Sequence, residues 1–307
     1  MKPLVRILAA TDLSAPARHA VARAFSVAAA TGAQLTLLHV LDQMGLERLR
    51  ALPGGSAQAV EQRLLDEARQ RLGQMVAELG PRHSVGAGVR LVSGRVLAAI
   101  LDEADALDAQ LVVLGARGEG HLGRMLLGTT AERLLRRSIR PMLVVKQFPH
   151  EAYRRVLVPV DFSPWSRLAV ELARAVAPTA ELILLTAFEA PFEAKLRYAG
   201  VEEEVLNRYL AAARQEALQR LQALADGFGL RPGESRLLAR HGEAARVILH
   251  EELEQDCDLV CLGKHGQGML EELLLGSVTK HVLAESVGDV LVVGSAGQVC
   301  GPDTLAG

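Results

Sequence analysis

The chain has 307 residues, half of them hydrophobic, 23% charged and only 3% aromatic, with a net charge of −2. That is enough for one or two domains with cores of their own, and it lacks the basic footprint and stacking rings of a nucleic-acid surface. No apolar run approaches the ~18 residues of a membrane span, and Arg6 and Asp12 break the opening stretch where a signal peptide needs an unbroken core, so a cytoplasmic protein is expected.

In chain order, "VRILAATDLS" (5–14) reads as a buried strand that ends at Asp12. Ser14 then caps a helix with Pro16 in its first turn. "AQLTLLHVLD" (33–42) is a second strand, with His39 as a core or strand-end histidine. Residues 43–59 read as loop or local decoration. Val60, Leu64, Leu65, Ala68, Leu72, Val76 and Leu79 then recur at helical spacing, so a helix is predicted over 60–79, stopped by Gly80-Pro81. "RLVSGRVLAAIL" (90–101) supplies a strand and a helix, and "AQLVVLGARG" (109–118) runs a strand into a glycine-rich loop. "TAERLLRRS" opens another helix, and "RPMLVVK" (140–146) is a last strand. Arg133, Arg136, Arg137 and Arg140, with Glu132 beside them, read as a solvated face.

The whole order then returns at an offset of about 148 residues. "RVLVPVDFS" (155–163) repeats the first strand with Asp161, Ser163 and Pro164; "AELILLTAFE" (180–189) repeats the second. Leu206, Leu210, Leu218, Leu221 and Leu224 mark a helix near 203–225, while 190–202 matches nothing in the first half. "LARHGEAARVIL" (238–249), "CDLVCLGKHG" (257–266) and "GDVLVVG" (288–294) complete the copy. A repeat of this length means two tandem domains, expected at 1–146 and 155–294, with a linker at 147–154 and a loose tail at 295–307. Strand–helix alternation, with strands apolar on both faces, predicts an α/β fold whose parallel sheets carry helices on both faces. The final strands would be bare sheet edges, which invite pairing. Cys257 and Cys261 flank three residues of a strand, roughly 13 Å of chain, so they cannot pair within it. With Cys300 in the tail, all three read as idle thiols of a reducing compartment.

The glycine loops carry the chemistry. Ligands of open α/β sheets sit beyond the carboxyl ends of the strands, where strand order reverses. With order 3-2-1-4-5, Asp12 and Asp161 at the ends of the first strands would share a crevice with Gly115 and Gly263 at the ends of the fourth. Each loop closes on Gly128-Thr129 or Gly276-Ser277 and opens a helix, and Thr129 with Glu132 spells a capping box. Backbone N–H groups at such a helix start suit an anion, with phosphate the natural one. "GEGHLG" (118–123) satisfies G-x-G-x-x-G but follows a fourth strand instead of the first, and the second copy has Glu271 at the third glycine; a dinucleotide fold is not expected. No Walker A stretch is present. A purely structural reading stands beside each: glycines that permit a tight turn, aspartates that cap the following helix, and Thr129 and Ser277 as N-caps with or without ligand. His121 has Met269 opposite it, which argues against a shared catalytic role.

The spacing common to both copies is G-x2-G-x9-G-[ST]: Gly115, Gly118, Gly128, Thr129, and Gly263, Gly266, Gly276, Ser277. With an aspartate before the serine of strand one, this resembles the universal stress protein family in its tandem form, over nearly the whole chain. The resemblance implies two open five-stranded parallel sheets of order 3-2-1-4-5, and an adenine nucleotide, ATP above all, as ligand. Asp12 and Asp161 would contact the adenosine, and Val40 and Ala187 would offer backbone to the adenine. The glycines, with Thr129, Thr130, Ser277 and Val278, would hold the phosphates, commonly with a divalent cation such as Mg2+. Arg117 in copy one and His265 in copy two sit between the first two glycines of each loop, and Arg117 is the stronger phosphate partner. The family also implies pairing through the last strand, here as an internal pseudo-dimer, with further homo-oligomers left open. The reading is a nucleotide-binding stress-response regulator without catalytic residues; its alternatives are a nucleotide-independent interaction or chaperone-like module and a slow ATPase.

Overall fold

The computed structural model describes residues 3–50, 57–116, 127–190, 195, 198–231, 233–266 and 275–294. Each half alternates strand and helix. The first contains β1 (Arg6–Ala10), α1 (Ala15–Thr31), β2 (Gln34–Asp42), α2 (Gln43–Arg50), α3 (Ala57–His83), β3 (Ala87–Gly94), α4 (Val96–Ala106), β4 (Leu111–Gly115), α5 (Thr129–Arg137) and β5 (Met142–Val145). The second contains β6 (Arg155–Pro159), α6 (Pro164–Val176), β7 (Glu181–Phe188), α7 (Glu203–Gly227), β8 (Ser235–His241), α8 (Ala244–Glu254), β9 (Leu259–Gly263), α9 (Ser277–Glu285) and β10 (Asp289–Val293).

The strands form one ten-stranded sheet, in the order β3-β2-β1-β4-β5-β10-β9-β6-β7-β8. Within each half every pairing is parallel and the order is 3-2-1-4-5. The halves join by an antiparallel pairing of β5 with β10, in which Val144 faces Val290, Leu143 faces Leu291 and Met142 faces Val292. The two edges expected from the sequence therefore cover each other, and the two sheets are continuous.

Alternation along each strand serves two cores at once. Leu111, Val113, Leu143 and Val145 belong to one face, with Phe25 of α1, Leu72 of α3, Val170 of α6 and Leu221 of α7. Val112, Leu114, Met142 and Val144 belong to the other, with Ile100 of α4, Leu134 of α5, Ile248 of α8 and Val282 of α9. Both clusters run across the joint between the halves. A large apolar side chain buried this fully contributes roughly 1.5–3 kcal/mol.

Ser14 and Ser163 cap α1 and α6 as read, accepting from the Ala17 and Ser166 N–H groups. Two local readings change. The stretch after β2 holds the eight-residue helix α2, and α3 runs through Gly80 and Pro81 to His83. A proline in the final turn forfeits one intrahelical bond, and Val85 N–H folds back onto the Gly80 carbonyl at 3.1 Å just beyond.

A buried polar clasp closes the joint. Arg23 of α1 donates from Nε to Asp289 Oδ2 at 3.0 Å and from Nη1 to the Glu151 carbonyl at 2.8 Å. The Tyr153 hydroxyl donates to the same carboxylate oxygen at 2.7 Å, its ring lies 4.0 Å beneath the guanidinium, and Lys146 N–H donates to Oδ1 at 2.8 Å. The stretch read as a linker is thus held down by both halves.

Candidate functional site

Each half forms a cleft at the carboxyl ends of its strands, between its first and fourth. In the first, Thr11 N–H bonds to the Leu38 carbonyl, extending the hold of β2 by one residue. Leu13 then takes a left-handed φ of 65°. Phe162 does the same in the second half, at 63°. Left-handed backbone at a bulky residue is costly; here it turns the chain sharply between strand and helix. Asp12 Oδ1 accepts Ser14 N–H at 3.0 Å, and Asp161 Oδ1 accepts Ser163 N–H at 3.0 Å.

The fourth strands supply the opposite wall. Gly128 N–H bonds to the Ala116 carbonyl at 2.8 Å, and Gly276 N–H to the Lys264 carbonyl at 3.0 Å, so each loop returns to its own start before the helix begins. Gly128 and Gly276 are the N-caps of α5 and α9, and neither helix has a side-chain cap. This corrects the reading of Thr129 and Ser277, which are first helical residues, and the capping box does not form. Glu132 turns instead to Arg136 at 2.6 Å. The first N–H groups of both helices therefore meet the cleft without a side-chain acceptor, at the positive end of the helix dipole.

The first cavity is about 330 Å³ and is lined by Asp12, Val40, Gly115, Gly128, Thr129 and Thr130, over an apolar floor from Val96 and Ile100 of α4. Arg117 and Gly118 lie outside the described residues. The second is about 240 Å³ and is lined by Asp161, Ala187, Gly263, His265, Gly266, Gly276, Ser277 and Val278. The glycines are tight: a Cβ on Gly263 would lie 2.7 Å from Trp165 Cβ, and one on Gly266 would lie 3.2 Å from Asp161 Oδ2. Among the described residues no cluster of three or more His, Cys, Asp or Glu side chains could hold a metal ion.

His39, on β2, is structural: its Nδ1 carries a proton and donates to the Thr11 carbonyl at 2.8 Å. Thr186 performs that service in the second half, bonding the Val160 carbonyl at 2.8 Å. The sequence reading missed Trp165 and Ser166, which also line the second cavity. Ser166 Oγ accepts Asp161 N–H at 2.9 Å and donates back to Asp161 Oδ1, which Ser163 Oγ also reaches at 2.6 Å. The available signal was local: Trp165, the sole tryptophan, stands where the first half has Pro16.

This duplicated architecture is matched by the family model described as the universal stress protein family, once over residues 4–146 and again over 152–294. The chain belongs to the universal stress protein family. Among its relatives, a universal stress protein of Mycolicibacterium smegmatis is 29% identical over 301 residues, covering 94% of this chain and 96% of that one. A universal stress protein of Mycobacterium tuberculosis is 32% identical over 186 residues, covering 57% of this chain and 59% of its own. A solved universal stress protein structure from Archaeoglobus fulgidus superposes over 94% of this chain and 98% of its own, with a TM-score of 0.67 at 21% identity, a likeness of fold. No described helix of this universal stress protein is long and apolar enough to cross a membrane.

Proposed function

We propose that this universal stress protein binds an adenine nucleotide, ATP in the first place, and works as a stress-response regulator. The observation that carries the reading is the pairing, in one cavity and twice in the chain, of a strand-end aspartate with a helix N-terminus capped by glycine alone. Asp12 and Asp161 face the ribose and adenine, whose edge meets the backbone at Val40 and Ala187. Phosphates lie against Gly115, Gly118, Gly128, Thr129 and Thr130 in the first cleft, with Arg117 as counter-charge. In the second they meet Gly263, His265, Gly266, Gly276, Ser277 and Val278. Anions gain at a helix start through the aligned N–H groups and the dipole. A Mg2+ ion would be held chiefly by the phosphates, with the Thr129 or Ser277 hydroxyl beside it, and would shield them from the aspartate. The two domains span 1–146 and 155–294, with the linker at 147–154 and the tail at 295–307. Cys257 and Cys261 are free thiols, which suits a cytoplasmic setting.

Calorimetry with ATP, with and without magnesium, tests this on the intact chain and on a double Gly118→Val, Gly266→Val variant. Micromolar binding that the folded variant loses by tenfold or more is the expected result. Absence of heat with any adenine nucleotide, from folded protein free of retained ligand, would sink the reading and favour a nucleotide-independent interaction module.

A further inference from the structure

The two clefts are built alike in backbone and differ in three side-chain features. First, Trp165 and Ser166 line the second cavity where only Ala17 stands in the first. The Trp165 ring packs edge-on to His265, centroids 6.1 Å apart, and its Cβ is the nearest atom to the space in front of Gly263. The indole thus occupies the start of the glycine loop, and the cavity is the smaller one, about 240 against 330 Å³.

Second, the cation of the second loop is directed elsewhere. Lys264 is 2% exposed, and its Nζ donates to the Arg136 carbonyl at 2.7 Å and to the Ser138 carbonyl at 3.3 Å. It therefore neutralises the carboxyl end of α5 in the other half, a favourable place for a cation. Third, Asp161 Oδ1 takes three donors from Ser163 and Ser166, which fixes the orientation of the carboxylate beside the cavity. Each added phosphate brings negative charge that Lys264, bonded to the end of α5, is not directed to meet, and a smaller cavity gives it less room.

We infer that the second cleft discriminates against triphosphates and takes an adenine nucleoside monophosphate, with Trp165 as the specificity-determining residue, while the first cleft takes the triphosphate. This rests on the nucleotide reading above.

Because Trp165 is the only tryptophan, its fluorescence reports the second cleft alone, and calorimetry reports both. AMP and ATP are titrated in turn, with and without magnesium, into the intact chain. The expected result is a Trp165 emission change whose midpoint is at least tenfold lower for AMP than for ATP, together with a tight calorimetric ATP site that leaves the emission unmoved. Equal or tighter response to ATP, or ATP heat with no emission change from either ligand, overturns the inference and leaves nucleotide binding standing. No heat from any adenine nucleotide fells both. Trp165→Ala, followed by calorimetry, is expected to gain a second ATP site and lose the preference for AMP. If that variant does not fold, Trp165→Leu keeps the apolar contact and is read the same way. An unchanged AMP-to-ATP ratio in the folded variant overturns the role of Trp165.

Discussion

Asp12 and Asp161 occupy matching ends of β1 and β6, yet the sets of donors around them differ because Ala17 is replaced by Ser166. The substitution is visible in the sequence; its consequence is not, since it depends on the left-handed turn at Leu13 and Phe162 that brings the third helical residue back over the carboxylate. The same limit applies to His39, whose equivalent is Thr186: different chemistry, one hydrogen bond. The cysteines read more simply. Cys261 is fully buried and Cys257 nearly so; desolvation pushes the Cys257 thiol up to about 12 and raises that of Cys261 further. Thiolate is the reactive form, so neither should take up a thiol reagent at neutral pH until the chain unfolds. Mass-resolved labelling at rising urea concentration checks this; rapid native modification at either position would contradict it.

Elements were legible where their signals are local. Ser14-Ala15-Pro16 and Ser163-Pro164 specify helix starts within three residues, and both helices begin there. The start of α5 was misread because Thr129 satisfies the capping pattern while the backbone arriving from the loop already places Gly128 at the cap. Lys264 was beyond reach of any local rule: its partners, in the last turn of α5 and at its C-cap, lie 128 and 126 residues away. Helix α8 offers a test of capping itself. Glu243 accepts the Ala245 and Arg246 N–H groups, both at 3.0 Å, and these bonds hold its carboxyl below the usual carboxylate value. A lowered value means stability that is present above the ordinary carboxylate range and lost as pH falls through the lowered one. Glu243→Ala should cost about 0.5–1 kcal/mol at neutral pH, the lower part of the range for lost caps at an exposed site. The gap between parent and variant should narrow in acid, as followed by urea unfolding at several pH values. A gap that stays constant with pH would rule out the charged cap.

At the scale of the molecule, both cores cross the β5–β10 joint, so the chain should unfold as one unit despite its duplication. The Arg23–Asp289 pair is nearly inaccessible, its side chains 8% and 2% exposed, and removing one partner leaves the other charged and buried. Asp289→Asn should therefore cost roughly 3–5 kcal/mol and split the calorimetric transition into two. A single transition displaced by less than a degree would show that the clasp does not join the halves. The duplication was readable from the repeat, and two bare apolar edges from the last strands; the strand order and the pairing of those edges were what the resemblance to the family implied. The clasp was not readable, since Asp289 aligns with Pro141 and Arg23 with Leu172, so the repeat holds no trace of it.

The antiparallel seam has one more consequence. Strands on either side of it run in opposite directions, and each cleft opens at the carboxyl ends of its own strands, so the two mouths face away from each other across opposite rims of the sheet. A flat partner seated on one mouth is blind to the other. Two occupancies could be read by one listener only through the body of the protein, and Lys264, rooted in one loop and bound to the far end of the helix that opens on the other, spans that route.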